Sequence, residues 1–203
     1  MTIDIALKEW ACVCDLLVEG RCGVLLRKGG VHELAGPGRF RLEHDRFALF
    51  PAWEHENLAW IKPELRPDRG PIQHEPAEIE LRGYAEVAGL WEVPQVGGRE
   101  AFDRLDDLHP WLPPQVDMRF DYKPDRPLYA MLVRAYALDE PKIIPNRRSF
   151  AGCRSWVPLE GSDRLGGGDA NQVGAREEGA KAAVGDREFA RWRERVEAAL
   201  GRG

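Results

Sequence analysis

The chain has 203 residues, of which 43% are hydrophobic, enough to build the core of one ordinary domain. Its formal net charge of −5 provides no overall positive field, so binding of a polyanion would need a local basic patch. No apolar run approaches the roughly 18 residues of a membrane helix, and the N-terminus lacks the pattern of a secretory signal, so we expect a cytoplasmic protein with no membrane partner.

The first third of the chain is predicted to hold a helix and two strands. Apolar residues at spacings of three and four predict an amphipathic helix over 7–18, although the alternation at 11–14 also fits a strand. The apolar run 23–28 predicts a buried strand, which the Gly29-Gly30 pair ends in a turn. A second strand region, which contains Phe40, Leu42 and then 47–50, ends at Pro51.

The middle of the chain is predicted to contain a short helix, a loop and a β-rich stretch. Residues 54–61 fit two helical turns, and the proline-rich segment 63–76 fits an exposed loop. Apolar residues over 79–93 predict extended structure, with Gly83 and Gly89 as candidate β-bulges.

The second half is predicted to contain a helical segment at 97–108 and a clear strand at 128–138. Glycine dominates 160–185, which predicts a flexible linker. Residues 186–203 predict an amphipathic helix that either docks on the body or binds a protein partner.

Strands and helices do not alternate as a parallel doubly wound sheet requires. We therefore predict an α+β fold, with a curved, mainly antiparallel sheet or small barrel and flanking helices. A single domain is expected over 1–159, followed by the linker over 160–185 and the helix over 186–203.

Two segments, 20–32 and 141–159, contain basic residues and no acid. Guanidinium groups make bidentate contacts to phosphate, and flat aromatic rings stack on bases. These segments therefore predict a binding module for RNA, DNA or a nucleotide, whereas the alternative is two solvated loops with arginines paired to acids. The predicted site consists of Arg27, Lys28, Gly29, Gly30, Arg147, Arg148, Phe150, Arg154 and Trp156.

A second hypothesis is a metal-assisted hydrolase or nuclease that uses Glu33, His44 and His55. The alternative is that these charged residues decorate exposed strand ends. Cys12 and Cys14 form C-x-C rather than the C-x-x-C of zinc knuckles, so the cysteines are predicted to be buried thiols. The leading hypothesis includes no metal and no cofactor.

Several motifs in order along the chain carry a family resemblance. They are Ala6–Trp10, Leu25–Gly30 with Glu33, Phe47–Pro51 followed by Glu54-His55, Leu138–Pro141 and Ala151–Trp156. Together they resemble an uncharacterised, mostly bacterial family named domain of unknown function 1802 (DUF1802). The resemblance covers 6–159 and leaves out the linker and the last helix. It implies no activity, substrate or catalytic residue.

A second likeness concerns the fold. The rhythm of 79–93 and of 128–141 is similar to that of PUA-like domains, a group of small curved β-barrels that includes nucleobase- and RNA-reading modules. The G-x-K-x-x-E-x-R motif of one PUA-like branch is absent, and residues 27–30 do not match it. This likeness concerns the fold and implies no function by itself.

Overall fold

One curled sheet organises the computed structural model, which describes residues 2–28, 42–72, 74–94, 96–152, 154–166 and 179–201. The strands are β1 (Ile5–Trp10), β2 (Val24–Arg27), β3 (Arg46–Ala52), β4 (Glu78–Val93), β5 (Leu128–Pro145), β6 (Trp156–Pro158) and β7 (Ala180–Ala182). They follow the order β2-β5-β4-β3-β1-β6 in the sheet, and β7 lies beside β5. β1 and β3 are parallel, and the other neighbours are antiparallel.

The α-helices flank this sheet. They are α1 (Ala11–Val18), α2 (Gly98–Asp103), α3 (Pro113–Asp121) and α4 (Asp186–Leu200). The α+β class and the mainly antiparallel curled sheet are thus confirmed. α3 was not predicted, because it begins with two prolines and only its Gln115 and Val116 are buried, which gives a weak apolar period.

The predicted helix over 7–18 was wrong in its first half. β1 occupies Ile5–Trp10 and only the second half is helical. Ala6 and Leu7 are both fully buried, because the sheet is covered on both faces. A strand buried on both faces loses the polar–apolar alternation that distinguishes it from a helix.

The two long strands match their predictions. β4 and β5 pair along most of their length, with register shifts between Leu81 and Gly83 and between Val87 and Gly89. Both glycines therefore lie at the predicted bulges, where a missing side chain lets the strand bend. The two helical turns predicted over 54–61 are reduced to the 3-10 turn Leu58–Trp60.

Two apolar clusters cover the two faces of the sheet. The inner cluster lies within the curl and beneath α1, and contains Phe47 and Leu49. The outer cluster contains Phe50 from the alternate position of β3, together with Ile79 and Leu81 of β4. Because successive strand residues face opposite sides, neighbouring residues of one strand enter different environments.

The C-terminal helix docks on the body. Phe189, Trp192 and Val196 are buried in the same core as the sheet, and Asp186 forms an ion pair with Arg134 of β5. The amphipathic helix is thus confirmed, and its apolar face is covered.

Both ends of the linker predicted over 160–185 contain regular structure. Leu165 forms a β-bridge with Ile3, and β7 pairs with β5 before α4 begins. Residues 167–178 of the linker lie outside the described residues. No helix in the described part of the chain has the length and apolarity needed to cross a bilayer.

Candidate functional site

The two predicted basic segments both reach β1. At the end of β2, the Arg27 guanidinium donates to the carbonyl of Lys8 at 3.3 Å and to Glu9 Oε2 at 3.0 Å. From the other segment, the backbone carbonyl of Ser155 accepts a hydrogen bond from the backbone N–H of Lys8 at 2.8 Å. The ammonium group of Lys8 also donates to the carbonyl of Phe150 at 2.7 Å. β1 therefore joins the two segments.

Their side chains nevertheless lie on opposite faces of the sheet. Trp156 packs edge-on against Phe47 of the inner cluster, with ring centroids 5.3 Å apart. Phe150 packs edge-on against Phe50 of the outer cluster at 5.4 Å. The predicted residues therefore do not form one pocket. Arg27 and Trp156 belong to the inner side, and Arg147 and Phe150 to the outer side.

The inner side carries a charge cluster that consists of Glu9, Arg27 and Arg119. Glu9 is 7% exposed, and its Oε1 accepts the backbone N–H of Trp10 at 2.9 Å. Arg119 projects from α3 and is partly buried. Burial lowers the pKa of Arg119, the charge of Glu9 raises it, and the charge of Arg27 lowers it. Glu9 thus forms an ion pair with Arg27, and its charge also acts on Arg119.

Arg119 is the most available of these cations. Within the part of the chain that the structure describes, its guanidinium has no hydrogen-bond or ion-pair partner. A partly buried guanidinium gains most from a charged partner, because the local dielectric is low.

Aromatic rings stand on the same side as the charge cluster. Tyr129 lies directly opposite Arg27 in the β2–β5 register, so their side chains are neighbours on one face. Trp156 lies opposite Leu7, two residues before Glu9 on β1. Tyr129 and Trp156 are both partly exposed.

Lys28 has a structural role instead of the predicted ligand contact. Its ammonium group donates to the carbonyls of Arg119 at 2.9 Å and Phe120 at 3.0 Å, near the C-terminus of α3. Lys28 is only 4% exposed, and burial lowers its pKa. A cation at this position stabilises the last carbonyls of the helix.

The outer-side residues are largely engaged as well. Arg147 forms an ion pair with the buried Asp163, and its guanidinium lies over the Phe150 ring, 5.6 Å from the centroid. Phe150 is 5% exposed, so its ring is not open to stack on a base as predicted. Arg148 is exposed on a 3-10 turn.

Three other predicted residues complete the set. Arg154 is partly buried, and among the described residues its Nε atom has no hydrogen-bond partner. Gly29 and Gly30 lie outside the described residues.

His44 and His55, the two described residues of the metal hypothesis, are not grouped as metal ligands. His44 packs against the Trp156 ring at 5.1 Å, whereas the side chain of His55 is 75% exposed beside Glu54. Glu33 lies outside the described residues. In the described ranges no three His, Cys, Asp or Glu side chains are grouped as metal ligands.

The cysteines that the structure describes match the prediction of buried thiols. Cys12, Cys14 and Cys22 are buried and free. Burial raises the pKa of each of these thiols, which keeps them protonated and unreactive at neutral pH. Cys153 lies outside the described residues.

Sequence reasoning missed Glu9, Arg119 and Tyr129 as members of the site. Glu9 lies in the motif Ala6–Trp10 that carries the family resemblance, and Tyr129 lies in the strand predicted at 128–138. No sequence pattern marked Arg119 as a site residue, because nothing local predicts that this residue of α3 lies near Glu9 of β1.

Comparisons with known proteins place the chain in a family and among weak structural neighbours. A family model described as "Domain of unknown function (DUF1802)" matches residues 6–194. The match extends beyond the predicted 6–159 and includes part of α4, so the helix is not an addition to the family domain. No curated protein is significantly similar to the chain in sequence.

Two solved structures are similar, both mutant forms of ZmASCH from Zymomonas mobilis. They are 12% and 14% identical to this chain, with TM-scores of 0.45 and 0.44. Both alignments cover 78% of this chain, and they cover 89% and 91% of the ZmASCH chains. At these TM-scores the likeness to PUA-like domains stays a prediction.

Proposed function

This chain belongs to the DUF1802 family, and because that description names no activity, we propose a function from the geometry of the site. We propose that the protein binds a nucleotide, either free or as one unit of an RNA or DNA strand. The ligand binds on the inner side of the curled sheet, beside Glu9, Arg27 and Arg119.

The observation that carries this proposal is the guanidinium of Arg119, which has no partner among the described residues and feels the charges of both Arg27 and Glu9. One carboxylate, Glu9, balances only one of the two positive charges. A phosphate between the two guanidinium groups would satisfy the second charge and accept directed N–H donors. Tyr129 and Trp156 offer partly exposed rings on the same side for the planar base.

A pocket for one nucleotide has more support than a groove for a long backbone. Lys28 and Arg147 are engaged in contacts within the protein, so few cations remain to follow successive phosphates. Each phosphate contact adds about 0.7 to 0.9 to the logarithmic salt slope. We therefore expect a shallow slope of about one to two, rather than the steep dependence of a polyanion-binding protein.

The two other hypotheses have less support. The apolar face of α4 is packed on the body through Phe189, Trp192 and Val196, so it is not open to a protein partner. Among the described residues, His44 and His55 share no metal-ligand group.

A calorimetric titration with the four ribonucleoside monophosphates, their nucleosides and a ten-nucleotide RNA or DNA strand tests the proposal. Phosphate-bearing ligands are expected to bind more tightly than the nucleosides. Arg119→Gln is expected to weaken their binding by about 10- to 100-fold, since a hydrogen bond to a charged group contributes about 1.5–3 kcal/mol. The matched control is Arg148→Gln, which removes an exposed arginine from the outer side and should leave the affinity unchanged.

The proposal fails if none of these ligands binds, or if Arg119→Gln binds them as tightly as the native chain. A loss confined to Arg148→Gln would instead place the ligand on the outer side of the sheet.

A further inference from the structure

β3 and β4 begin as partners and then separate. They pair only where Arg46–Ala48 lies opposite Tyr84–Glu86, although β3 continues to Ala52 and β4 starts at Glu78. One edge of residues 78–82 pairs with β5. The other edge faces β3 and has no strand partner among the described residues.

The separated strands leave a groove between them, and the floor of this groove is apolar. One cavity, about 300 Å³, lies between α1, β3 and the free edge of β4. A second cavity of about 340 Å³ continues it and shares two residues with the first. The apolar floor is formed by Val18, Leu49, Pro51, Trp53 and Ile72.

The charged groups of this groove that have no ion-pair partner among the described residues are acidic. Its two arginines are already paired, Arg82 with Asp15 at 2.9 Å and Arg69 with Glu56 at 2.9 Å. Glu78 and Glu80 also line the cavity and are exposed. Neither carboxylate forms an ion pair or a side-chain hydrogen bond within the described part of the chain.

We propose that this groove binds an extended segment of a partner protein, which adds as a strand to the free edge of β4 and carries basic residues at alternate positions. This binding site is separate from the nucleotide site and does not depend on it. Unpaired backbone N–H and C=O groups of a strand edge are a template for such an addition.

The alternation of β4 determines which residues the partner segment needs. Glu78 and Glu80 are two residues apart and face the groove together, so they favour basic residues at positions i and i+2 of the added strand. Ile79 and Leu81 face the outer side, where they belong to the outer apolar cluster. The residue between the two basic ones therefore extends that cluster if it is apolar.

Two labelled synthetic peptides are the probes. The first is Arg-Val-Arg-Val-Arg with blocked termini, and the second is Arg-Arg-Arg-Val-Val, which has the same composition and charge without the alternation. Binding to the full chain is measured by fluorescence anisotropy, and hydrogen exchange identifies the backbone amides that become protected.

The alternating peptide is expected to bind more tightly than the rearranged one and to protect amides within 78–82. Glu78→Gln/Glu80→Gln should weaken its binding by about tenfold, because each cross-strand charge pair contributes up to about 1 kcal/mol. The control Glu100→Gln/Glu188→Gln removes the same charge from two exposed helical positions and should not weaken binding.

Equal binding of the two peptides, undiminished binding to Glu78→Gln/Glu80→Gln, protection elsewhere in the chain, or no binding at all would each overturn the proposal.

Discussion

The Arg27 guanidinium lies 3.0 Å from Glu9 Oε2, and both side chains are nearly buried, with 12% and 6% of their surfaces exposed. Arg27 ends β2 at one end of the strand order, and Glu9 lies on β1, next to the other end. This ion pair therefore connects two parts of the sheet that no ladder of backbone hydrogen bonds joins, and it helps to hold the curl on which the inner site depends.

Arg27→Met is expected to lower the free energy of unfolding by about 3 kcal/mol, because it leaves the buried carboxylate of Glu9 without its partner. Adding Glu9→Gln should recover part of that loss. Urea unfolding of the two single variants and the double variant measures the coupling, which we expect to exceed about 1 kcal/mol.

The exposed pair Arg193 and Glu197 of α4, at 3.1 Å, is the control for this cycle. Its coupling should stay below about 0.5 kcal/mol, as for other exposed helical pairs. If the changes in the free energy of unfolding caused by the Glu9 and Arg27 substitutions are additive, the ion pair contributes nothing to stability.

Gly23→Ala is expected to loosen the docking of α4. A β-carbon at Gly23 would lie 2.6 Å from Cζ3 of Trp192, a ring that is 9% exposed and anchors the helix. Overpacking of this kind costs about 1–3 kcal/mol, which urea unfolding followed by tryptophan fluorescence would measure.

The matched substitution is Gly70→Ala, where a β-carbon would meet no atom within 4 Å. That variant should stay within about 0.5 kcal/mol of the native chain. If Gly23→Ala is equally harmless, the contact of Trp192 with the body is looser than the structure shows.

His109 is expected to make the free energy of unfolding decrease as the pH falls below neutral. Burial, followed by the charges of Lys62 and Arg99, lowers its pKa to about 3. The neutral ring lies stacked between Phe102 and Trp111. The folded state therefore favours neutral His109, so its contribution to stability is present above pH of about 6.5 and is lost as the pH falls toward 3.

The loss should reach at most about 1.4 kcal/mol for each pH unit below 6.5, as measured by urea unfolding at pH 7, 6 and 5. His109→Gln should flatten this dependence over the same range, whereas His55→Gln, at an exposed histidine, should leave the slope unchanged. An unchanged slope in His109→Gln would assign the sensitivity to other groups.

Some of this structure could be predicted from local sequence. The strands at 79–93 and 128–138, the bulges at Gly83 and Gly89 and the C-terminal amphipathic helix follow from the period of apolar residues and from the freedom of glycine. The family resemblance likewise rested on short motifs in order along the chain, and the match over 6–194 confirms it.

The partner of each charged residue, in contrast, is determined by tertiary contacts alone. Arg27 and Lys28 are adjacent in the chain, yet one pairs with Glu9 and the other donates to the end of α3, 91 residues away. Strand alternation sends neighbouring side chains to opposite faces, and only the folding of distant segments determines what each face meets. Charge pattern alone therefore identified basic segments, while the fold decided that Arg119, which no motif marked, stands with Arg27 on the inner side.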